Sequence, residues 1–268
     1  MAAPIQPVPL ISSRTNPRVK QLRAAFAGQA RLSGGLVAIE GTNLVTEALR
    51  SGLMIKTIFV SEHTVVPPDL PPTIELLHLT TELFKSVVET QSPQGIAALI
   101  LPPIRTLASA LTRTPLLLIA AALQDPGNLG TLIRSAEAFG ATGLLTTPGT
   151  VSPWNQKALR ASAGSLFRLP VIASTSAEIA SLKWQGLKIY AAVAPTQISA
   201  SDAQQTDLAR PCALLIGNEG AGLSREWLDL ADASITIPCP GLVESLNAAI
   251  AGSLLLYEAS RQRASPPA

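Results

Sequence analysis

Asp125-Pro-Gly-Asn-Leu-Gly-Thr-Leu-Ile-Arg134 follows, after Gln124, the run Leu116 to Leu123, which is wholly apolar. An unbroken apolar run of that length suits a central parallel strand, buried on both faces by flanking helices. The quoted stretch is then the turn at the strand's carboxyl end, leading into a helix from about Leu129 to Phe139 that Gly140 stops. The same strand-then-turn pattern returns at Gly217-Asn-Glu-Gly-Ala-Gly-Leu-Ser224 and at Ile237-Pro-Cys-Pro-Gly-Leu-Val-Glu-Ser-Leu-Asn247. Open α/β sheets bind ligands outside the carboxyl ends of their strands. The three turns therefore read as one composite site.

Outward from that site, further strands are expected at Gly143–Thr146, Lys188–Val193, Ala213–Ile216 and Ser234–Ile237. Helices are expected at Asn155–Ala163, after a Ser224 cap, and from Ser245 to about Arg261. This alternation predicts an α/β fold with a parallel sheet and helices on both sides. Pro102-Pro103 marks a linker. Upstream of it, strands at Leu36–Ile39, Ile55–Val60, Glu75–Leu79 and Gly95–Leu101 alternate with helices capped by Gly41-Thr-Asn43 and by Thr80 or Thr81. The division is residues 1–105, linker included, and residues 106–268.

Of the 268 residues, 47% are hydrophobic and 14% charged, so a sizeable core is available and each charge merits locating. The net charge of +2 says little; its distribution says more. No acidic residue precedes Glu40, while Arg14, Arg18, Lys20, Arg23 and Arg31 all do. A basic leader is a candidate phosphate contact, and without an aromatic ladder it offers no base stacking. The residues before about Ile11, rich in Pro and Ala, are expected to be mobile. Cys212 and Cys239 have no CxxC partner or nearby His cluster, so packing is expected of them and no metal. No secretory pattern opens the chain, and no apolar run approaches the ~20 residues of a membrane span. The expectation is a soluble cytoplasmic protein.

Within the composite site, Asn128 stands where a helix N-cap belongs. Arg134 follows about one and a half turns later, placed to grip a phosphate or a ribose edge. Glu219, set between glycines, could accept bonds from a ligand or hold the arginine. No Lys-Ser/Thr follows the glycines, which excludes a P-loop, and no GxGxxG follows the first strand, which argues against a nucleotide-dependent oxidoreductase. Pro238 and Pro240 rigidify the third turn and Gly241 bends it. Ser245 can cap the last helix and leave Asn247 facing a ligand. Backbone groups and the apolar walls Ile237 and Leu246 suit a neutral, partly aromatic ligand such as an adenosine.

These segments, in this order, resemble the SpoU (TrmH-like) family of RNA 2′-O-ribose methyltransferases in the SPOUT superfamily. The resemblance rests on Asn128, Gly130 and Arg134, on Gly217-Asn-Glu-Gly-Ala-Gly-Leu, and on Ile237-Pro with Glu244-Ser-Leu-Asn247, down to Tyr257-Glu258. Asn16-Pro-Arg-Val-Lys20 and Ile39-Glu-Gly41 resemble the family's N-terminal substrate-binding domain. The resemblance implies a small ribosomal-protein-like α/β domain ahead of a sheet with a C-terminal trefoil knot, and a homodimer with its site near the subunit interface. It implies S-adenosylmethionine as methyl donor, against Gly217, Gly220, Ile237, Leu246 and Asn247. It implies catalytic roles for Arg134, as base or as the group that orients the 2′-hydroxyl, and for Asn128, Glu219, Ser245 and Asn247, with Arg14, Arg18, Lys20 and Arg23 on RNA. The implied substrate is large-subunit ribosomal RNA. Transfer RNA is the alternative substrate, and a catalytically silent RNA- or ribosome-binding protein the alternative function. Where many relatives continue Ser-Leu-Asn with Val-Ser or Val-Ala, this chain has Ala248-Ala249.

Overall fold

The computed structural model describes residues 9–28, 35–68, 70–112, 114–195 and 200–264; Arg31 and the residues before Pro9 lie outside them. The chain divides into two compact units, Met1–Pro103 and Ile104–Ala268.

The first unit runs β1 (Leu10–Ile11), α1 (Pro17–Phe26), β2 (Val37–Glu40), α2 (Thr42–Arg50), β3 (Met54–Ser61), β4 (Glu75–Leu79), α3 (Thr81–Val87) and β5 (Ile96–Leu101). Its sheet has the order β1-β4-β3-β5-β2. β4 pairs in parallel with β1 and β3, and β5 antiparallel with β3 and β2. α1 begins because Asn16 accepts the amides of Arg18 and Val19, with Pro17 at the first helical position, where its missing N–H costs nothing. Val19, Leu22 and Phe26 of α1 then pack with Phe59, Phe84 and Leu99, each large side chain contributing about 1.5–3 kcal/mol by burial. That leaves Arg14, Arg18, Lys20 and Arg23 on the solvent side. α2 starts within the expected segment Gly41-Thr-Asn43. Gly41, at φ 103, is the N-cap and supplies no side chain. The Thr42 N–H instead donates to Gln94 Oε1 at 2.8 Å. Buried Glu40 holds the same loop, accepting the Gln94 N–H and the Thr90 hydroxyl, each at 2.8 Å.

The second unit runs α4 (Leu107–Ala110), β6 (Leu116–Ala120), α5 (Pro126–Ala138), β7 (Gly143–Thr146), α6 (Gln156–Ser162), α7 (Ser165–Arg168), β8 (Val171–Ala173), α8 (Ser176–Ser181), β9 (Lys188–Ala192), β10 (Ser201–Asp202), β11 (Cys212–Ile216), α9 (Arg225–Leu230), β12 (Ala233–Thr236) and α10 (Ala248–Ala264). Its sheet has the order β10-β12-β9-β11-β6-β7-β8, and every pairing is parallel. The α/β class and parallel sheet are as the sequence pattern predicts. β6 explains its own unbroken apolar run. Leu117 and Ile119 point to a cluster with Ile179, Leu182 and Ile189 under α4, α8 and α9. Leu116, Leu118 and Ala120, also sealed from solvent, point to the opposite face, where α5 and α10 pack. α5 lies close to both neighbours because of glycines. A Cβ on Gly130 would come 2.6 Å from Ala161 Cβ of α6, and one on Gly252 of α10 would come 2.5 Å from Leu132 Cδ2.

Candidate functional site

The cap of α5 is Asp125, not Asn128. The Asp125 side chain accepts the Asn128 N–H at 2.8 Å, with Pro126 at the first helical position. The Asp-Pro opening was the signal for this cap. Lys157 Nζ lies 2.8 Å from the other Asp125 oxygen, and Lys157 and the Asn128 amide together hold that carboxyl below its usual range. Displaced to the third helical position, Asn128 has its side chain free for other partners.

Those partners come from the other two turns. Asn128 Nδ2 donates to Glu219 Oε1 at 2.9 Å. Asn247 Nδ2 donates to Asn128 Oδ1 at 3.2 Å. Glu219 also accepts the backbone N–H groups of Asp125 at 3.1 Å and Gln124 at 3.4 Å. Burial pushes the Glu219 carboxyl up, but the Asn128 amide and the backbone amides of Glu219, Asp125 and Gln124 outweigh it and hold the group below its ordinary value. Glu219 thus holds the first turn rather than Arg134. The glycine-rich turn is closed by Asn218 and Gly222, which exchange two backbone hydrogen bonds at 3.0 Å. Asn218 Nδ2 ties the turn to Ala122 O at 2.9 Å. Gly217 is required where the turn doubles back, since a Cβ there would stand 2.6 Å from Gly222 O.

The third turn corrects the sequence reading at its helix. α10 begins at Ala248, and its cap is Asn247, whose Oδ1 accepts the amides of Ala249 at 2.9 Å and Ile250 at 3.3 Å. Asn247 is therefore committed to the helix and to Asn128 rather than free. Ser245 is exposed and irregular. Ser224 stands at the start of α9 but makes no side-chain capping bond.

Beside this network lies a cavity of about 340 Å³, at the carboxyl ends of β9, β11 and β12. That size is at the lower end of small-molecule sites. Of the expected residues, Gly217, Glu219, Gly220, Ile237, Ser245 and Leu246 line it, and Asn128 and Asn247 join it through Glu219. Its apolar wall includes Ile216, Leu223, Ile235 and Leu255. Sequence reasoning missed Ala192 to Pro195, Leu228 and Cys239 on this wall. The stretch from Ala192 to Pro195 is apolar and lacks glycine, so it carried no motif.

Arg134 is not among these groups. It is the ninth residue of α5, further along than expected, because the helix begins at Pro126. It is exposed and lines no part of the cavity, and among the described residues its side chain meets no carboxylate. Of the leader cations, Arg18 Nε pairs with Glu75 at 2.8 Å, while Arg14, Lys20 and Arg23 are exposed without such a partner among the described residues. Cys212 is buried in β11, and that burial pushes its thiol up. No described helix is long and apolar enough to cross a membrane.

Comparison with known proteins agrees with this geometry. Residues 115–257 match the SpoU rRNA Methylase family and residues 16–98 the MRM3-like substrate binding domain. The chain is 36% identical to the 23S rRNA (guanosine(2553)-2'-O)-methyltransferase RlmP of Bacillus subtilis, over 92% of this chain and 97% of that one. It is 32% identical to the 23S rRNA (uridine(2479)-2'-O)-methyltransferase of Streptomyces viridochromogenes, over 95% and 93%. The solved SpoU methyltransferase AviRb of S. viridochromogenes, in complex with AdoMet, superposes with a TM-score of 0.82 at 27% identity, covering 94% of this chain and all 100% of that one. AdoMet-bound rRNA methyltransferase from Sinorhizobium meliloti gives 0.82 at 29% identity, covering 96% and 99%. With three strand-end turns converging beside one cavity and the family match covering more than half its length, this chain belongs to the SpoU rRNA methylase family.

Proposed function

We propose that this protein transfers a methyl group from S-adenosylmethionine to a ribose 2′-hydroxyl of large-subunit ribosomal RNA. The observation that carries the proposal is the cavity beside the Glu219–Asn128–Asn247 network at the carboxyl ends of β9, β11 and β12. Its composition fits the donor. Backbone groups around Gly217 and Gly220 can meet an adenine edge, and Ile216, Ile237, Leu246 and Leu255 can sandwich its faces. Two relatives of full length named as 23S rRNA 2'-O-methyltransferases support ribosomal over transfer RNA.

S-adenosylmethionine supplies a methyl group already activated on a sulfonium, so what remains for the protein is placement of the acceptor. A guanidinium has donors and no acceptor. Arg134 therefore acts by orienting the 2′-hydroxyl and its phosphate and stabilising charge while the oxygen takes the methyl carbon, the S–CH3 bond breaks to leave a neutral thioether, and the hydroxyl proton passes to solvent water. From its exposed place on α5 it meets the RNA as the RNA docks. Asn128, Glu219 and Asn247 fix the turn facing that ribose, and Ser245 on the cavity wall contacts donor or ribose. Ala248 lines the cavity while Ala249 is buried away from it, so Ala248 meets the donor's wall and supplies no hydroxyl there.

The same reading includes a C-terminal trefoil knot, supported by β11 lying between β9 and β6 and by α10 packing back on α5. It includes a homodimer, supported by an exposed apolar row on α10, Ile250, Leu254 and Tyr257, spaced to share one helix face. The unit before Pro103 is read as the RNA-binding, ribosomal-protein-like domain, with Arg14, Arg18, Lys20 and Arg23 on phosphates, and the cytoplasm as the compartment.

The test is transfer of tritiated methyl from S-adenosylmethionine to an unmodified 23S rRNA transcript, with the site mapped by 2′-O-methyl sequencing. Titration calorimetry with S-adenosylmethionine accompanies it. One mapped ribose supports the proposal. Donor binding with methylation of tRNA alone moves the substrate, and no donor binding makes the protein a silent RNA binder.

A further inference from the structure

We propose that Lys157 and Arg160 of α6, with Arg134 of α5, form a basic seam that grips the RNA phosphates next to the reacting ribose. This rests on the RNA-methyltransferase reading for the polymer bound; the residues are this chain's own. α5 and the stretch from α6 to α7 run side by side in the same direction. A Cβ on Gly127 would lie 3.1 Å from Lys157 Cε, and one on Gly130 would lie 2.6 Å from Ala161 Cβ. Further along, Glu137 pairs with Arg168. Arg134 is one turn beyond Gly130, which meets α6, and Arg160 is one turn beyond Lys157 on the exposed side of α6. All three are exposed.

The charges of this seam are unbalanced. Its two carboxylates are already engaged, Asp125 by Lys157 at 2.8 Å and Glu137 by Arg168. Arg134 and Arg160 meet no carboxylate among the described residues, and α6 contains no acidic residue. In a chain with a net charge of only +2, two unanswered guanidiniums beside a lysine are a local feature, and the planar fork of arginine matches phosphate oxygens. The seam also starts at the working end of the site. Lys157 binds the same Asp125 that caps α5 and presents Asn128. A strand lying in the seam would therefore bring a ribose to the Asn128–Glu219 network.

The experiment measures RNA binding rather than transfer. Fluorescence anisotropy with a labelled 23S rRNA transcript, repeated across salt concentrations, gives Kd and the slope of log Kd against log salt. Arg160→Ala is expected to weaken binding about three- to tenfold and flatten the slope by about one phosphate's worth. Arg160→Lys is expected to keep the slope, and S-adenosylmethionine affinity should not move in either. Arg210→Ala is the control. Arg210 is 83% exposed and paired with Asp207, and it precedes β11 at the opposite end of the sheet. An unchanged slope in Arg160→Ala, or an equal change in Arg210→Ala, overturns the seam. A wild-type protein that binds this transcript yet methylates no RNA counts against the methyltransferase reading, while the slope still decides the seam.

Discussion

Glu219 and Asn128 stand 91 residues apart in sequence and 2.9 Å apart in space, joined by one side-chain hydrogen bond. That bond, with the two backbone amides that Glu219 also accepts, fastens the glycine-rich turn to the start of α5.

Glu219→Gln keeps the size but loses the charge that makes these bonds strong. Methyl transfer should fall at least tenfold. The effect on stability is smaller, because the side chain is exposed. Its sign with pH is fixed. The folded carboxyl titrates below its ordinary value of 4.5, so its contribution is present above that value and lost as pH falls through the folded one. Denaturant melts from pH 6 to 3 should show a shallower acid decline for Glu219→Gln than for wild type. Parallel declines would remove Glu219 from the acid response.

Gly217→Ala places a methyl 2.6 Å from Gly222 O, backbone against backbone, with no flexible side chain to give way. The turn must open, and the cavity wall with it. S-adenosylmethionine affinity measured by calorimetry should weaken more than tenfold, while binding of the 23S transcript stays within about twofold, since the basic residues are elsewhere. Unaltered donor affinity would mean that the cavity is not where the donor sits.

The contrast between these positions and Arg134 shows what the sequence made legible. The apolar run ahead of Asp125 and the strand-then-turn rhythm placed the sheet, and Gly217, Glu219, Ile237 and Leu246 came together as their turns implied. Helix starts were less legible, because several polar residues at each could cap: the Asp125-Pro126 opening marked one start, while no such signal singled out Asn247 over Ser245. Asp125 displaced Asn128 by accepting its amide, and Asn247 displaced Ser245 by accepting the amides of Ala249 and Ile250. Each displacement changed what a side chain was available to do. The wall from Ala192 to Pro195 was invisible, because an apolar turn carries no chemistry in its residue types and acquires a role through neighbouring strands.

Arg134→Ala should separate catalysis from donor binding and folding. The side chain is exposed and lies outside the cavity, so stability should stay within about 0.5 kcal/mol and donor affinity should be unchanged. If orientation and charge stabilisation at the 2′-hydroxyl are its work, kcat at saturating RNA should fall at least a hundredfold. Near-normal turnover by the purified variant would remove it from the reaction.

The last prediction concerns the exposed row on α10. Ile250 is 53%, Leu254 43% and Tyr257 53% exposed, an apolar face that a second copy would cover. In a two-fold interface each substitution acts twice. A carboxylate buried there without a partner costs several kcal/mol, and every 1.4 kcal/mol is tenfold in Kd. Leu254→Glu should therefore raise the dimer dissociation constant at least a hundredfold in sedimentation equilibrium. Leu254 faces away from the core residues Leu255 and Leu256, so the fold should survive, which circular dichroism melts can verify. A folded Leu254→Glu that still sediments as a dimer would place the interface elsewhere, and a monomeric wild type would end the homodimer reading.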